Sequence, residues 1–493
     1  MRKWFRVGVF ILLLPLVVTA QQISFEDYFT DRTLRIDYFQ IGHADEERVT
    51  LDRLYEEGAW PGNPENLIDS FNNGRYYVKI IDVASNALIF SKGFNNLFGE
   101  YKTTDPGIEG TWRSYHGSAR IPYPKNPVLF VLETRDKTNL LHPVYSVRID
   151  PQSLDILRER AKPGVRVYKA LISGHPHDKV DLAWLAEGYT ETEYDKFKSD
   201  VDRFMRVFFS IEPYRSRKNA FNIYGVFEAS AESGVDEPRK GIYRQTALNA
   251  SFNALGLERY LLTEDNRSLR DMAAHVPYDG LIVLVNSSRY GGGGIYNDYA
   301  ITTVDNDRSE NVFLHEFGHS FSGLGDEYFS SAVAYNDFYP RGIEPAPPNI
   351  TAFLNPDALK WRHLVSPGMD LPTDWGRGES DSLEAEIERL TGMMRAEVEK
   401  MEKMGEPDEE IRRVKKDYVE GRIRAVREKR RDVEAKYRKQ LSGKVGLFEG
   451  AGYSAKGLYR PEIECIMFSN RQKRFCRVCQ EAIIRMIRFY SEE

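Results

Sequence analysis

Two of the chain's nine histidines, His315 and His319, stand four residues apart around Glu316 in the stretch Asn311-Val-Phe-Leu-His-Glu-Phe-Gly-His-Ser-Phe-Ser-Gly-Leu-Gly-Asp-Glu-Tyr328. On a helix, residues i and i+4 share a face, so both imidazoles can reach one metal ion. Glu316 directly follows the first histidine, where it can act as general base toward a water polarised by that metal. With nine His and 74 acidic residues in 493 positions, this pattern is expected about 0.02 times by chance, so it is specific. A catalytic zinc ordinarily takes three protein ligands and leaves a fourth position open. Asp326 is the best third ligand and Glu327 the second, because a turn at Gly323 lets the chain swing back toward the metal. The expected cofactor is one catalytic Zn2+, held by His315, His319 and Asp326, with Glu316 as the catalytic residue.

The helix that carries the motif should begin near Asp307 to Glu310 and end near Gly323. Buried strands should precede it at Asp181 to Thr190, Phe221 to Phe227 and Gly280 to Val285, with an amphipathic helix over Glu191 to Phe209. This alternation predicts an α/β catalytic domain. Between the last of these strands and the motif, Tyr290-Gly-Gly-Gly-Gly-Ile-Tyr296 carries four consecutive glycines. They permit close approach of another backbone, either a substrate laid along a sheet edge or simply a turn before an edge strand. The stretch lacks the Lys-Ser/Thr ending of a phosphate-binding loop.

The first twenty residues have the form of a signal peptide: Arg2, Lys3 and Arg6, then the apolar run Val7 to Val18, then Val18-Thr19-Ala20. The apolar run is too short for a convincing membrane span. The expected mature chain therefore starts near Gln21, has no stable membrane span, and is exported to a secreted, periplasmic or cell-surface location. A hydrophobic fraction of 41%, a charged fraction of 29% and a net charge of −6 are globular values. They offer no basic field for a nucleic-acid partner.

Residues 21–155 read as an N-terminal β-sandwich domain. Leu34 to Phe39, Tyr76 to Ile81, Ala87 to Phe90 and Val128 to Leu132 are short runs rich in β-branched and aromatic residues. The second and third should form a hairpin. His43, His116 and His142 are scattered without ligand spacing. Asp150-Pro151 and Lys162-Pro-Gly164 mark the boundary to a catalytic domain over 156–493. Within that domain, 381–441 reads as an inserted antiparallel helical hairpin. Asp381 and Glu384 suggest a capping box, and Gly405 to Pro407 a stop and restart. It could gate the cleft, bind a partner or be passive. The three cysteines, Cys465, Cys476 and Cys479, suggest one disulfide and one leftover thiol in an exported chain. A structural metal on three thiolates would lack a fourth ligand.

The segment His315 to Tyr328 resembles the active-site signature of the bacterial IgA-peptidase family of zinc metallopeptidases, which is metzincin-like in plan. The resemblance extends to Ala186-Glu-Gly-Tyr-Thr190, Ser233-Gly-Val-Asp-Glu-Pro238, Phe448-Glu-Gly-Ala-Gly-Tyr453, Tyr459-Arg-Pro461, Cys465-Ile-Met467 and Phe475-Cys-Arg-Val-Cys479. It covers most of Val165 to Glu493 and implies a metzincin-like zinc peptidase domain after the β-domain. It also implies a methionine turn at Met467. Metzincins place a third histidine ten residues after the first, where Gly325 stands here, so the resemblance supports Asp326 but not that spacing. No transition-state-stabilising tyrosine is assigned, Tyr453 being the one candidate.

The implied function is a secreted zinc-dependent metalloendopeptidase. Its partner would be a protein or peptide substrate, with immunoglobulin A or another host or dietary protein as candidates. A zinc amidase acting on cell-wall material, and a binding protein with a vestigial metal site, are the alternatives. The intact Glu316 counts against the second of these.

Overall fold

The computed structural model describes residues 23–158, 162–329, 338–469 and 471–492. Residues 1–20, read above as a signal peptide, lie outside the described residues. Among the described residues, no helix is long and apolar enough to cross a membrane.

The N-terminal region is built from two four-stranded sheets. In one, Arg113–Pro124, Phe29–Gly42, Glu47–Glu57 and Ile156–Leu157 lie side by side; in the other the order is Leu88–Phe94, Tyr76–Asp82, Val128–Arg135, Leu141–Ile149. Tyr76–Asp82 and Leu88–Phe94 pair antiparallel as the expected hairpin. The strand Phe29–Gly42 shows how this region is anchored. Alternate residues Leu34, Ile36 and Tyr38 enter the core, as a period of two requires. The intervening Arg35 and Asp37 are also buried. Arg35 pairs with Asp37 at 3.0 Å and Glu57 at 3.1 Å on its own sheet, and with Asp271 of the following region at 2.7 Å. A polar strand face can be buried only when its charges are matched in this way.

The second region is centred on a six-stranded sheet, in the order Gly292–Ile295, Tyr299–Thr303, Gly280–Val285, Val180–Glu187, Phe221–Phe227, Arg166–Leu171. The four inner strands run parallel, and the outermost strand at each edge runs antiparallel to its neighbour. Val180–Glu187 is buried throughout, which explains the apolar run Leu182 to Ala186 at its centre. The helices Tyr194–Phe208 and Ser309–Ser322 pack together over the sheet. Phe313 meets Trp184 edge-on at 5.3 Å and Phe204 at 5.0 Å, and Phe317 meets Phe208 at 5.3 Å. Each such fully buried phenylalanine stabilises the fold by about 1.5–3 kcal/mol, and together they fix the motif helix on its sheet.

The helical insertion begins earlier than the sequence suggests. Its first helix spans Arg377–Met404, so Asp381 and Glu384 lie inside it rather than at its start. The true start is set by Gly376, whose φ of 75° places the chain in the left-handed region. Gly405 ends the helix, also left-handed, and Pro407 precedes Asp408–Lys416. A π-helical segment, Asp417–Ile423, then joins Arg424–Leu441. Tyr418 bonds Glu397, and Arg430 pairs with Glu384, so the two arms run antiparallel. Ile387, Leu390, Tyr418 and Ile423 form a small core of their own, separate from the main one.

Asp181 and Asp279 meet at the start of two adjacent parallel strands. The Asp181 N–H donates to Asp279 Oδ2 at 2.9 Å, and Asn222 Nδ2 donates to Asp181 Oδ1 at 2.9 Å. Burial pushes both carboxyls above the ordinary carboxylate range, and the charge of Asp279 pushes Asp181 further. The folded state therefore holds protons that the unfolded chain has released, so this pair costs stability as pH rises above the ordinary carboxylate range. Asp181→Asn is expected to stabilise the protein by about 1 kcal/mol or more at mildly alkaline pH, and by less at mildly acidic pH. Thermal unfolding across pH checks this; an equal shift at every pH would contradict it.

Candidate metal centre

The motif helix runs Ser309–Ser322 and is ended by Gly323, whose φ of 59° suits glycine. A side chain at Gly323 would also strike Asn73, whose Nδ2 donates to the Gly323 carbonyl at 3.1 Å. The N-terminal region thus clamps the end of this helix. Beyond the turn, the chain doubles back and brings Asp326 against the two histidines.

Three atoms converge there. His315 Nε2 and His319 Nε2 are 3.1 Å apart, and Asp326 Oδ1 lies 3.1 Å from the first and 3.3 Å from the second. Asp326 is buried, and its Oδ1 makes no hydrogen bond of acceptable geometry among the described residues. Each imidazole is fixed through its other nitrogen. His315 Nδ1 faces the Ile466 carbonyl at 3.1 Å, and His319 Nδ1 faces the Leu324 carbonyl at 2.6 Å. Donation from Nδ1 leaves the Nε2 lone pairs for a metal, the arrangement that ligating histidines require. Burial opposes charge here, yet the Asp326 carboxylate outweighs it and pushes His319 up to about 9. Against the same burial, His319 and His315 hold Asp326 well below the usual carboxylate range. A point that gathers positive charge so strongly suits a divalent cation.

Glu316 stands beside this triangle, its carboxylate within 4.8 Å of both histidine nitrogens. Burial pushes its carboxyl upward, only partly offset by the two imidazoles. The glycines of the edge strand explain how it is accommodated. A Cβ at Gly292 would sit 3.2 Å from Glu316 Cγ, and one at Gly294 only 2.3 Å from the Glu316 carbonyl. The glycines therefore serve first to seat the motif helix. Tyr260 forms an isolated bridge to Gly292, so the outer edge is partly covered as well.

Met467 lies in a tight turn directly under the helix; a Cβ at Gly318 would meet its Sδ at 2.9 Å. The Glu327 N–H donates to the Met467 carbonyl at 2.9 Å, tying this turn to the loop that carries Asp326. Glu327 itself does not share the metal point with Asp326. Its side chain is fully buried on the other side of the loop, among Cys465, Cys476 and Cys479. The expected disulfide is also absent: all three cysteines are free, and Cys465 Sγ and Cys479 Sγ are 3.7 Å apart.

A contact that the sequence did not reveal is that of Tyr453, whose hydroxyl donates to Asp326 Oδ2. The N-terminal region was equally silent, yet Arg75, Glu100, Lys102 and Arg135 line the same cleft, of about 1030 Å³, as His315 and Glu316. His116 and His142 instead pair locally, with Asp52 and Asp136.

A mixed sheet carrying a His-Glu-x-x-His helix, whose histidines and glutamate line a cleft, has the makings of a metallopeptidase. Residues 169–487 match the model of the IgA peptidase M64 family, and residues 24–146 match that of the peptidase M64 N-terminus. The chain belongs to the M64 family of IgA peptidases. No individually curated protein shows significant similarity to it.

Proposed function

We propose that this chain is an exported zinc endopeptidase in which His315, His319 and Asp326 hold the metal and Glu316 moves the proton. The observation that carries the reading is the 3.1–3.3 Å triangle of ligand atoms. Zinc bonds of about 2.0–2.1 Å in a tetrahedron require ligand atoms about 3.3 Å apart, so the donor set fits. A zinc ion there supplies Lewis-acid polarisation of the scissile carbonyl and makes hydroxide accessible at neutral pH.

The chain's own residues do the rest. Glu316, with a carboxyl raised by burial, takes the proton of the attacking water and returns it to the leaving amine. The Ile466 and Leu324 carbonyls hold the two imidazoles in the ligating tautomer. Tyr453 orients Asp326 through its hydroxyl. Tyr453→Phe is expected to weaken zinc binding by about 10–100-fold, as loss of such outer partners does. Zinc titration against a competing chelator measures this; unchanged affinity with reduced kcat would instead assign Tyr453 to the transition state.

The metzincin-like plan is supported by the antiparallel edge strand along the motif helix and by the Met467 turn beneath it. We read the chain as a leader over 1–20, a β-sandwich domain over 21–155, one of whose sheets the strand Ile156–Leu157 still extends, and a peptidase domain over the rest of 156–493. Export rests on Arg2, Lys3 and Arg6 followed by the apolar run Val7 to Val18. The cleft, of about 1030 Å³ and lined by both regions of the chain, suits a polypeptide, with immunoglobulin A one candidate substrate. The decisive test incubates the mature chain with a protein panel including immunoglobulin A and with muropeptides, alongside a chelator-treated sample. Chelator-sensitive cleavage of proteins is expected; cleavage of muropeptides alone would identify an amidase.

None of the hairpin's residues between 377 and 441 lines the cleft, and Tyr437 returns against Gly376 at its base. Replacing residues 380–434 with a short flexible linker is therefore expected to leave cleavage rates unchanged. A loss of activity in a folded variant would show that the hairpin acts on the substrate.

A further inference from the structure

The buried group Glu327, Cys465, Cys476 and Cys479 lies outside the catalytic triangle and has no part in the mechanism. Its four ligand atoms all lie within 4.8 Å of one another, and all four residues are fully buried. Cys465 Sγ is 3.7 Å from Cys479 Sγ; Glu327 Oε1 is 3.6 Å from Cys476 Sγ and 3.1 Å from Cys479 Sγ. A tetrahedral zinc with bonds of about 2.3 Å to sulfur and about 2.1 Å to oxygen sets sulfur–sulfur edges near ~3.8 Å and sulfur–oxygen edges near ~3.6 Å. The 3.7 Å sulfur–sulfur and the 3.6 Å Glu327–Cys476 distances match these edges, and the Glu327–Cys479 distance of 3.1 Å is shorter.

We propose that these four residues form a second, structural zinc site of three thiolates and one carboxylate. Glu327 supplies the fourth ligand that the three cysteines lack in the sequence. Its Oε1 is oriented by Asn349 Nδ2 at 3.0 Å, and its Oε2 is buried without a hydrogen-bond partner among the described residues. A carboxylate with one oxygen left bare at full burial is costly unless positive charge lies beside it, which a zinc held through Oε1 would supply.

The backbone is arranged for thiolates. The Cys476 N–H donates to Cys465 Sγ at 3.2 Å, and the Cys479 N–H to Cys476 Sγ at 3.4 Å. Cys476 caps the N-terminus of the helix Arg477–Tyr490, whose dipole favours negative charge there. Coordination releases the three thiol protons to solvent, leaving a centre of two net negative charges. The guanidinium of Arg460, buried and attracted to Glu327, offsets part of that charge. With all four positions filled by protein the site is closed to substrate, the mark of a structural rather than a catalytic zinc. Ligation also keeps the thiols of an exported chain from oxidation.

The site would act as the foundation of the catalytic centre. Glu327 adjoins Asp326, and its N–H holds the Met467 carbonyl; Cys465 adjoins Ile466, whose carbonyl orients His315. One metal thus joins the ligand loop, the methionine turn and the terminal helix.

The test uses the full mature chain and its His315→Ala/His319→Ala variant, and does not depend on peptidase activity. Elemental analysis is expected to find two zinc ions per wild-type chain and one in the variant. X-ray absorption of the variant should show a sulfur-dominated zinc shell at about 2.3 Å. Cobalt-substituted wild-type protein should show a thiolate-to-metal charge-transfer band that is lost in Cys476→Ser/Cys479→Ser. Should either variant fail to fold, X-ray absorption of the wild-type holoprotein decides between the outcomes. A zinc shell of nitrogen and oxygen alone, or a mass two hydrogens lower from a Cys465–Cys479 disulfide, would overturn the proposal.

Discussion

Glu316→Gln is expected to lower kcat by about 10²–10⁴-fold while leaving the zinc content unchanged, the range that a positioned general base supplies. The substitution keeps the shape of the side chain, so the close contacts with Gly292 and Gly294 survive. It removes only the ability to accept and return a proton. Because burial already raises the Glu316 carboxyl, the acid limb of the wild-type kcat/KM profile should lie above the ordinary carboxylate range and be missing from the residual activity of the variant. Parallel measurements of peptide cleavage and bound metal check this. Cleavage at the wild-type rate by the metal-loaded variant would remove Glu316 from the mechanism.

Asp326→Ala is expected to reduce affinity for the catalytic metal by well over about 100-fold, since loss of a mere outer partner already costs about 10–100-fold. The histidines remain anchored by the Ile466 and Leu324 carbonyls, but two ligands hold zinc weakly. Glu327→Ala should behave differently. Its carboxylate points into the cysteine cluster, so the variant should keep the metal on His315, His319 and Asp326 while losing stability. Metal analysis of both variants, with X-ray absorption to tell nitrogen and oxygen from sulfur ligands, separates them. Retention of the catalytic metal by Asp326→Ala with its loss in Glu327→Ala would reverse the ligand assignment.

Much of the catalytic half is legible in the sequence because its signals are local. The strand Gly280–Val285 is a continuous apolar run and Phe221–Phe227 is broken only by Asn222, and the motif helix ends at a glycine that the backbone requires there. Spacing along one helix puts His315 and His319 on one face whatever surrounds them. The edge strand Arg166–Leu171, the short strand Tyr299–Thr303 and the N-terminal strand Glu47–Glu57 mix polar with apolar residues and carry weaker periodicity, so they do not stand out in the sequence. Asp381 and Glu384 mimic a helix start, but Gly376 is where the chain turns.

By itself the sequence determined the His-Glu-x-x-His motif with Glu316 between its histidines, the alternation of strands and helices that carries it, and the inserted hairpin. Each depends on neighbours a few residues apart. Only the tertiary structure decided that Asp326 faces the histidines while the adjacent Glu327 faces away. It alone brought Tyr453 onto Asp326, Asn73 onto Gly323, and three cysteines around a buried carboxylate. Two consecutive side chains on an irregular loop have no fixed period to sort them, so their directions follow from what the rest of the chain packs against each.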